Sequence, residues 1–238
     1  MTTQGSLEGR RIAVTGAAGA LGATLCRTLV DAGADLLALD RVHSHGRLEA
    51  LAKDLNCRHA ELDVADAAAW AELAERGELR DLSGAVLVAG GWAGGSAFHE
   101  APTDQLASQL ALNLVSAGVS MQALLKPMVH RGNGSLVVIG SKNAVSPELG
   151  ANAAAYTASK AGVVALARAV AAELREAGVR VNAVLPSTID TPANRSAMPG
   201  ADASRWVSPK SLAEAISFLL SDASRDISGT ALPVYGKS

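Results

Sequence analysis

Two tyrosines occur in the 238-residue chain, and one of them, Tyr156, stands four residues before Lys160 at the start of a strongly helix-forming stretch. A spacing of i to i+4 puts phenol and ammonium on one helix face. An isolated phenol, with a pKa of about 10, is a poor proton donor or acceptor at neutral pH. A fixed ammonium beside it favours the phenolate, so the pair can act as a tuned acid–base group. Bringing the phenol to neutrality takes roughly 3–4 kcal/mol. Alone, the pair reads as a helix-start tyrosine beside a surface lysine; further residues must join it to make a site.

Such residues lie at the other end of the chain. Thr15-Gly-Ala-Ala-Gly-Ala-Leu-Gly22 follows one apolar run and opens a helical pattern. Glycines there permit a tight turn and a close approach of backbone to a pyrophosphate. The helix start adds unpaired N–H groups and the positive end of a dipole. A Gly-x-x-Gly-x-x-Gly alone is weak evidence; the order of run, turn and helix strengthens it. Asp40 closes the second apolar run. A carboxylate at that place can accept from both adenosine ribose hydroxyls and repels a 2′-phosphate, which predicts NAD(H) over NADP(H). Arg41 is able to hold a 2′-phosphate, so NADP(H) is not excluded.

The elements that must position these residues alternate regularly. Strands are expected at Arg11–Thr15, Asp35–Leu39, Arg58–Leu62, Gly84–Ala89, Gly134–Ile139, Val179–Leu185 and Ala231–Val234. Helices are expected at about Leu21–Asp31, Leu48–Leu55, Asp66–Glu75, Thr103–His130, Tyr156–Glu176 and Ser211–Leu220. Apolar strands without polar alternation need helices on both sheet faces. Repeated βα units then predict a Rossmann-type, doubly wound parallel seven-stranded α/β sheet in a single domain over residues 1–238.

Composition narrows the function. The chain is 49% hydrophobic with a formal charge of −2, and its basic residues are scattered, so neither a nucleic-acid partner nor a membrane span is expected. Residues Met1–Arg11 lack the apolar core of a signal peptide, and the two cysteines, Cys26 and Cys57, share no metal-ligand spacing. The five histidines are dispersed, and no metal is expected. The reading is a cytoplasmic enzyme acting on a small-molecule substrate.

Tyr156-Thr-Ala-Ser-Lys160 together with the glycine turn resembles the short-chain dehydrogenase/reductase family, from about Gly9 to Val234. The resemblance implies that Gly16, Gly19, Ala20, Leu21 and Gly22 hold the pyrophosphate, with Ala20 in the usual place of the second glycine. Asp63-Val64 matches the pair beside the adenine. Leu87-Val-Ala-Gly90 stands where the family has Asn-Asn-Ala-Gly, leaving Ala89 and Gly90 against the cofactor. Asn113 matches the helix asparagine that holds a proton-relay water near the lysine. Ser141 matches the serine that binds the substrate oxygen, with Asn143 and Ser146 as alternative donors. Pro186-Ser-Thr-Ile-Asp-Thr-Pro192 matches the family's Pro-Gly segment, with Ser187 in place of glycine. Pro186, Ile189 and Thr191 would then meet the nicotinamide.

Two segments look like the dihydropteridine reductases within that family: Val88–Gly95, and Ala183–Pro199 continuing through Trp206. Those members are NADH-dependent and reduce quinonoid dihydropterins. Asn113 and Ser141, characteristically missing there, point equally to ordinary alcohol–carbonyl chemistry. Trp92, Phe98, Met198 and Trp206 are candidates to line a flat apolar pocket within or beside a substrate loop at about 187–210, or simply to cap the core. The family commonly pairs its two long helices between subunits, which implies a homodimer or homotetramer; Ala158, Ala161, Gly162 and Ala165 are small enough for it. Two rival readings are a catalytically silent NAD(H)-binding sensor and a structural partner in a larger assembly.

Overall fold

β1 (Arg11–Thr15) and β2 (Asp35–Asp40) are buried along their lengths, except for the polar residue that leads each. Successive side chains go to opposite faces, and each face meets helices. Ile12 and Val14 join the apolar cluster of α1 (Ala20–Asp31), α2 (His45–Leu55) and α8 (Pro209–Leu220). Ala13 joins that of α3 (Ala67–Glu75), α5 (Ser116–Arg131) and α6 (Ala154–Glu173). The computed structural model describes residues 6–237, with only the backbone of His45. Residues 1–5 and 238, the outer edges of the expected 1–238 unit, lie outside the described residues.

Five further strands complete the sheet: β3 (Arg58–Glu61), β4 (Leu82–Leu87), β5 (Gly134–Ile139), β6 (Val179–Pro186) and β7 (Ala231–Val234). The order is β3-β2-β1-β4-β5-β6-β7, and every pairing is parallel. This is the doubly wound seven-stranded sheet expected from the alternation. The winding reverses between β1 and β4, where such sheets open a crevice at the strands' carboxyl ends.

Several boundaries differ from expectation, and three of the differences bear on the site. β4 spans Leu82–Leu87, two residues earlier than the apolar run implied. Asp81, at φ 59°, turns the chain so that Leu82 pairs with Arg11. Val88 and Ala89 have already left the sheet, and the Ala89 N–H donates to the Thr15 hydroxyl at 3.3 Å. The long helix is also not uniform: α4 (Gln105–Gln109) passes through a widened π turn, Leu110–Val115, before α5. Finally, α6 begins two residues before Tyr156 and ends at Glu173, and the chain then turns to Gly178 at φ 67°.

Candidate active site

The glycine turn is built by close backbone approach. Gly16 has φ 68°, and a Cβ on it would lie 2.8 Å from the Ala89 nitrogen, so β1 and β4 meet there with no room for a side chain. A Cβ on Gly22 would lie 2.1 Å from the Gly16 carbonyl oxygen. Helix α1 therefore starts hard against the turn. Its N-cap, Gly19, offers no side-chain cap, which leaves the first-turn N–H groups free to face an anion. Ala20 is exposed at this start, so its methyl group costs the turn nothing. Leu21 points the other way, into the core.

Asp40, at the end of β2, is nearly buried. Its carboxylate accepts from the Ala18 N–H and the Arg41 N–H, both at 2.8 Å. The first bond ties it to the glycine turn, so turn and carboxylate form one preset surface. Two backbone donors leave acceptor capacity for ribose hydroxyls. Asp63 is exposed and turns its carboxylate onto the Ala65 N–H, while the Val64 carbonyl takes the Trp70 indole N–H at 3.0 Å. The uncapped helix start, the glycine cradle and Asp40 together fit a dinucleotide.

At the other end of the crevice, Tyr156 and Lys160 lie in the first two turns of α6, with Ser141 two residues past β5. The Lys160 ammonium donates to the Ile139 carbonyl at 2.9 Å. It is buried, and burial pulls its pKa down from 10.5 to about 8. The phenol does not move as the i, i+4 spacing implied. Burial pushes Tyr156 above its ordinary value, and the Ser141 side chain acts in the opposite direction. Desolvation of the phenol outweighs the Ser141 side chain, and the ammonium is spent on the Ile139 carbonyl rather than on the phenol. Ser141 is buried, with its hydroxyl accepting from the Asn143 N–H at 3.3 Å.

Asn113 sits in the π turn and spends its amide on the fold. It accepts from the Gly91 N–H and donates to the Gly91 carbonyl, both at 3.0 Å, and reaches Ser159 at 3.1 Å. Ser159 in turn donates to the Tyr156 carbonyl at 2.7 Å. Asn113 thus braces the Gly90–Gly91 turn against the helix that carries the phenol. A Cβ on Gly90 would lie 2.6 Å from the Asn113 oxygen and 3.5 Å from the Lys160 nitrogen, which brings this turn against the lysine. Thr15, Gln109 and Ser159 were not singled out by sequence reasoning. Thr15 and Ser159 act through bonds to residues remote in the chain, and Gln109 accepts from the Asn113 amide one helical turn on.

The loop after β6 supplies the remaining candidates. Pro186 ends the strand, Ile189 bridges to Val207, and the Thr191 hydroxyl caps α7 (Pro192–Ala197) at the Asn194 N–H. Trp206 is half-buried beside that bridge. Trp92 and Phe98 are 63% and 60% exposed, and Met198 is 39% exposed. Trp92 and Phe98 stand open on the connection from β4 to α4, and Met198 and Trp206 lie on the loop after β6. Among the described residues no cluster of three or more His, Cys, Asp or Glu could hold a metal. No helix among them is long and apolar enough to cross a membrane.

The buried lysine gives a test that needs no substrate. A lysine whose folded pKa lies below its unfolded value burdens the fold fully while both states are charged, below about pH 8. That burden is relieved as pH rises toward 10.5, because the unfolded chain then binds more protons. The unfolding free energy of Lys160→Met relative to the parent should therefore fall steadily between about pH 8 and 10.5, read from urea midpoints. A difference that is flat across that window would place the ammonium in a solvated setting.

A family model described as Enoyl-(Acyl carrier protein) reductase matches residues 16–236. D-threitol dehydrogenase of Mycolicibacterium smegmatis is 34% identical over 254 residues, covering 97% of this chain and 93% of that protein. A short-chain type dehydrogenase/reductase from Mycobacterium ulcerans superposes with a TM-score of 0.87 at 26% identity, covering 97% of this chain and 90% of that one. A gluconate 5-dehydrogenase from Burkholderia cenocepacia, solved in complex with NADP and tartrate, gives a TM-score of 0.88 at 28% identity, covering 98% and 97%.

Proposed function

The chain belongs to the short-chain dehydrogenase/reductase family, and from that premise we propose that it moves a hydride between NAD(H) and the carbinol carbon of a small secondary alcohol or its ketone, with Tyr156 as acid and base. The reading is supported by Tyr156 and Lys160 sharing the first two turns of α6, with the half-buried phenol under the influence of the Ser141 side chain. Bound NAD(H) supplies or takes up the hydride, and its oxidised ring adds positive charge at this end of the crevice. In reduction, Tyr156 gives its proton to the substrate oxygen, and burial keeps the phenol protonated for that task. In oxidation, the phenolate takes the hydroxyl proton, and Lys160, one helical turn on, supplies a compensating charge. Ser141 orients the oxygen, and Asn113 keeps Gly90 and Gly91 pressed toward the lysine.

A quinonoid dihydropterin has no alcohol–ketone oxygen for a serine to hold, so the bearing of Ser141 on the phenol favours the alcohol–carbonyl reading. A relative named for a polyol and a neighbour named for a sugar acid support it too. A silent sensor would have no use for a buried lysine that weakens the fold. The deciding assay is steady-state formation or loss of NADH with polyols, cyclic alcohols, ketones and a quinonoid dihydropterin. Turnover of an alcohol or ketone is expected; turnover of the pterin alone, or tight binding without turnover, defeats the proposal.

NAD(H) is the preferred cofactor in this reading because Asp40 is fixed at the ribose end. Asp40→Asn keeps an acceptor for the Ala18 N–H but removes the charge. Charge-assisted hydrogen bonds are worth about 1.5–3 kcal/mol, so the ratio of kcat/KM with NADH to that with NADPH should fall at least about tenfold. An unchanged ratio would remove Asp40 from cofactor selection. Leu112 and Val115, exposed on the π turn, support self-association through the long helices, which light scattering would read as a dimer or tetramer.

A further inference from the structure

The segment that follows β7 touches both sides of the site. The Ser187 hydroxyl donates to the Tyr235 carbonyl at 2.7 Å. The Lys237 N–H donates to the Arg205 carbonyl at 3.0 Å, and the Arg205 guanidinium donates back to the Lys237 carbonyl at 2.7 Å. Between them Gly236 has φ 66°, and a Cβ there would lie 3.0 Å from the carbonyl oxygens of Arg205 and Trp206. Residues 235–237 therefore run along both feet of the loop from Ser187 to Val207. Those feet are also paired with each other: the Val207 N–H donates to the Thr188 carbonyl at 3.0 Å, and the Asp190 N–H to the Val207 carbonyl at 2.9 Å. On the opposite side the Lys142 ammonium lies over the Tyr235 ring, 5.1 Å from its centroid. Lys142 directly follows Ser141.

We infer that Tyr235, Gly236 and Lys237 are positioning residues for substrate binding: they fix both feet of the 187–207 loop and tie them, through Tyr235, to the loop that carries Ser141. This rests on the reading of Ser141 and of that loop as facing substrate. The three residues act through Ser187, Arg205 and Lys142 rather than on reacting atoms. A loop held by bonds already made need not be ordered by substrate. If it is held only a fraction of the time, apparent affinity falls by that fraction. The larger effect falls on the alcohol or ketone, because only the nicotinamide end of the cofactor is expected at this loop, through Ile189 and Thr191, while its phosphate and ribose contacts are expected at α1 and β2.

The test uses three full-length variants. Gly236→Val drives a side chain into the backbone of Arg205 and Trp206, in a φ region that valine resists. Tyr235→Leu removes the ring from under Lys142, and Tyr235→Phe keeps it. Gly236→Val should raise KM for the alcohol roughly tenfold. Tyr235→Leu should raise it about three- to tenfold, and Tyr235→Phe should stay within about twofold of the parent. NADH affinity should hold within about twofold in all three. Independently of turnover, trypsin should cut after Arg195 or Arg205 several-fold faster in Gly236→Val and Tyr235→Leu than in the parent. Unchanged KM in both, at any cleavage rate, overturns the inference, and so does a parallel loss of NADH affinity and KM. If the parent turns over no alcohol or ketone, the functional reading fails by itself. Cleavage rates then decide the present point, and equal rates overturn it.

Discussion

Replacing Tyr156 by phenylalanine should cut turnover at least about a hundredfold while NADH affinity stays within a few-fold of the parent. The substitution removes one oxygen from a half-buried ring and leaves its packing intact. What disappears is the proton donor that Ser141 bears on. The ribose and pyrophosphate contacts proposed for the cofactor lie elsewhere, at Asp40 and the start of α1. A hundredfold loss is the lower range for a positioned acid–base group and corresponds to about 2.7 kcal/mol in the barrier. The loss should fall on kcat and kcat/KM alike, because the phenol's work is done in the transition state. Activity within a few-fold of the parent would remove Tyr156 from the chemistry.

The second large effect belongs to Gly22. An alanine Cβ there would stand 2.1 Å from the Gly16 carbonyl oxygen and 2.9 Å from Ala17, all of it backbone. No flexible side chain is available to give way, so α1 must move off the turn and its N–H donors lose their aim. Overpacking of this kind costs about 1–3 kcal/mol. Charged to cofactor binding, that is roughly a five- to 150-fold weaker NADH Kd. Gly19→Ala is the matched control, since its Cβ would come only to 3.3 Å of the Gly16 oxygen, at an ordinary φ of −77°. Fluorescence titration of NADH should separate the two variants clearly. Equal affinities would mean that the turn is not what holds the dinucleotide.

Much of this was legible in the sequence because it depends on local order. Apolar runs of strand length separated by helical patterns allow few arrangements, and the parallel sheet with its reversal between β1 and β4 is the one that forms. The glycine turn was legible for the same reason, and so was the pairing of Tyr156 with Lys160 on one helix. What escaped depends on contacts between residues far apart in the chain. The brace that Asn113 makes between Gly91 and Ser159 cannot be read from its place on a helix. Asp40 reads as a ribose ligand, but its tie to Ala18 also makes it a support of the turn. The direction of the phenol's pKa turns on where the ammonium points, and the Ile139 carbonyl that it points to belongs to another element. Hydrophobicity alone could not tell that Trp92 and Phe98 stand open on the connection from β4 to α4.

The most direct measurement of the central claim follows the hydride itself. NADH carrying deuterium at the reactive nicotinamide carbon would be incubated with the chain and the ketone it reduces fastest, and the alcohol product analysed by mass spectrometry. Direct transfer predicts one deuterium on the carbinol carbon of essentially every product molecule, with no label formed in the Tyr156→Phe chain beyond the residual turnover. Alcohol formed without deuterium, or label retained wholly in the cofactor, would contradict the account.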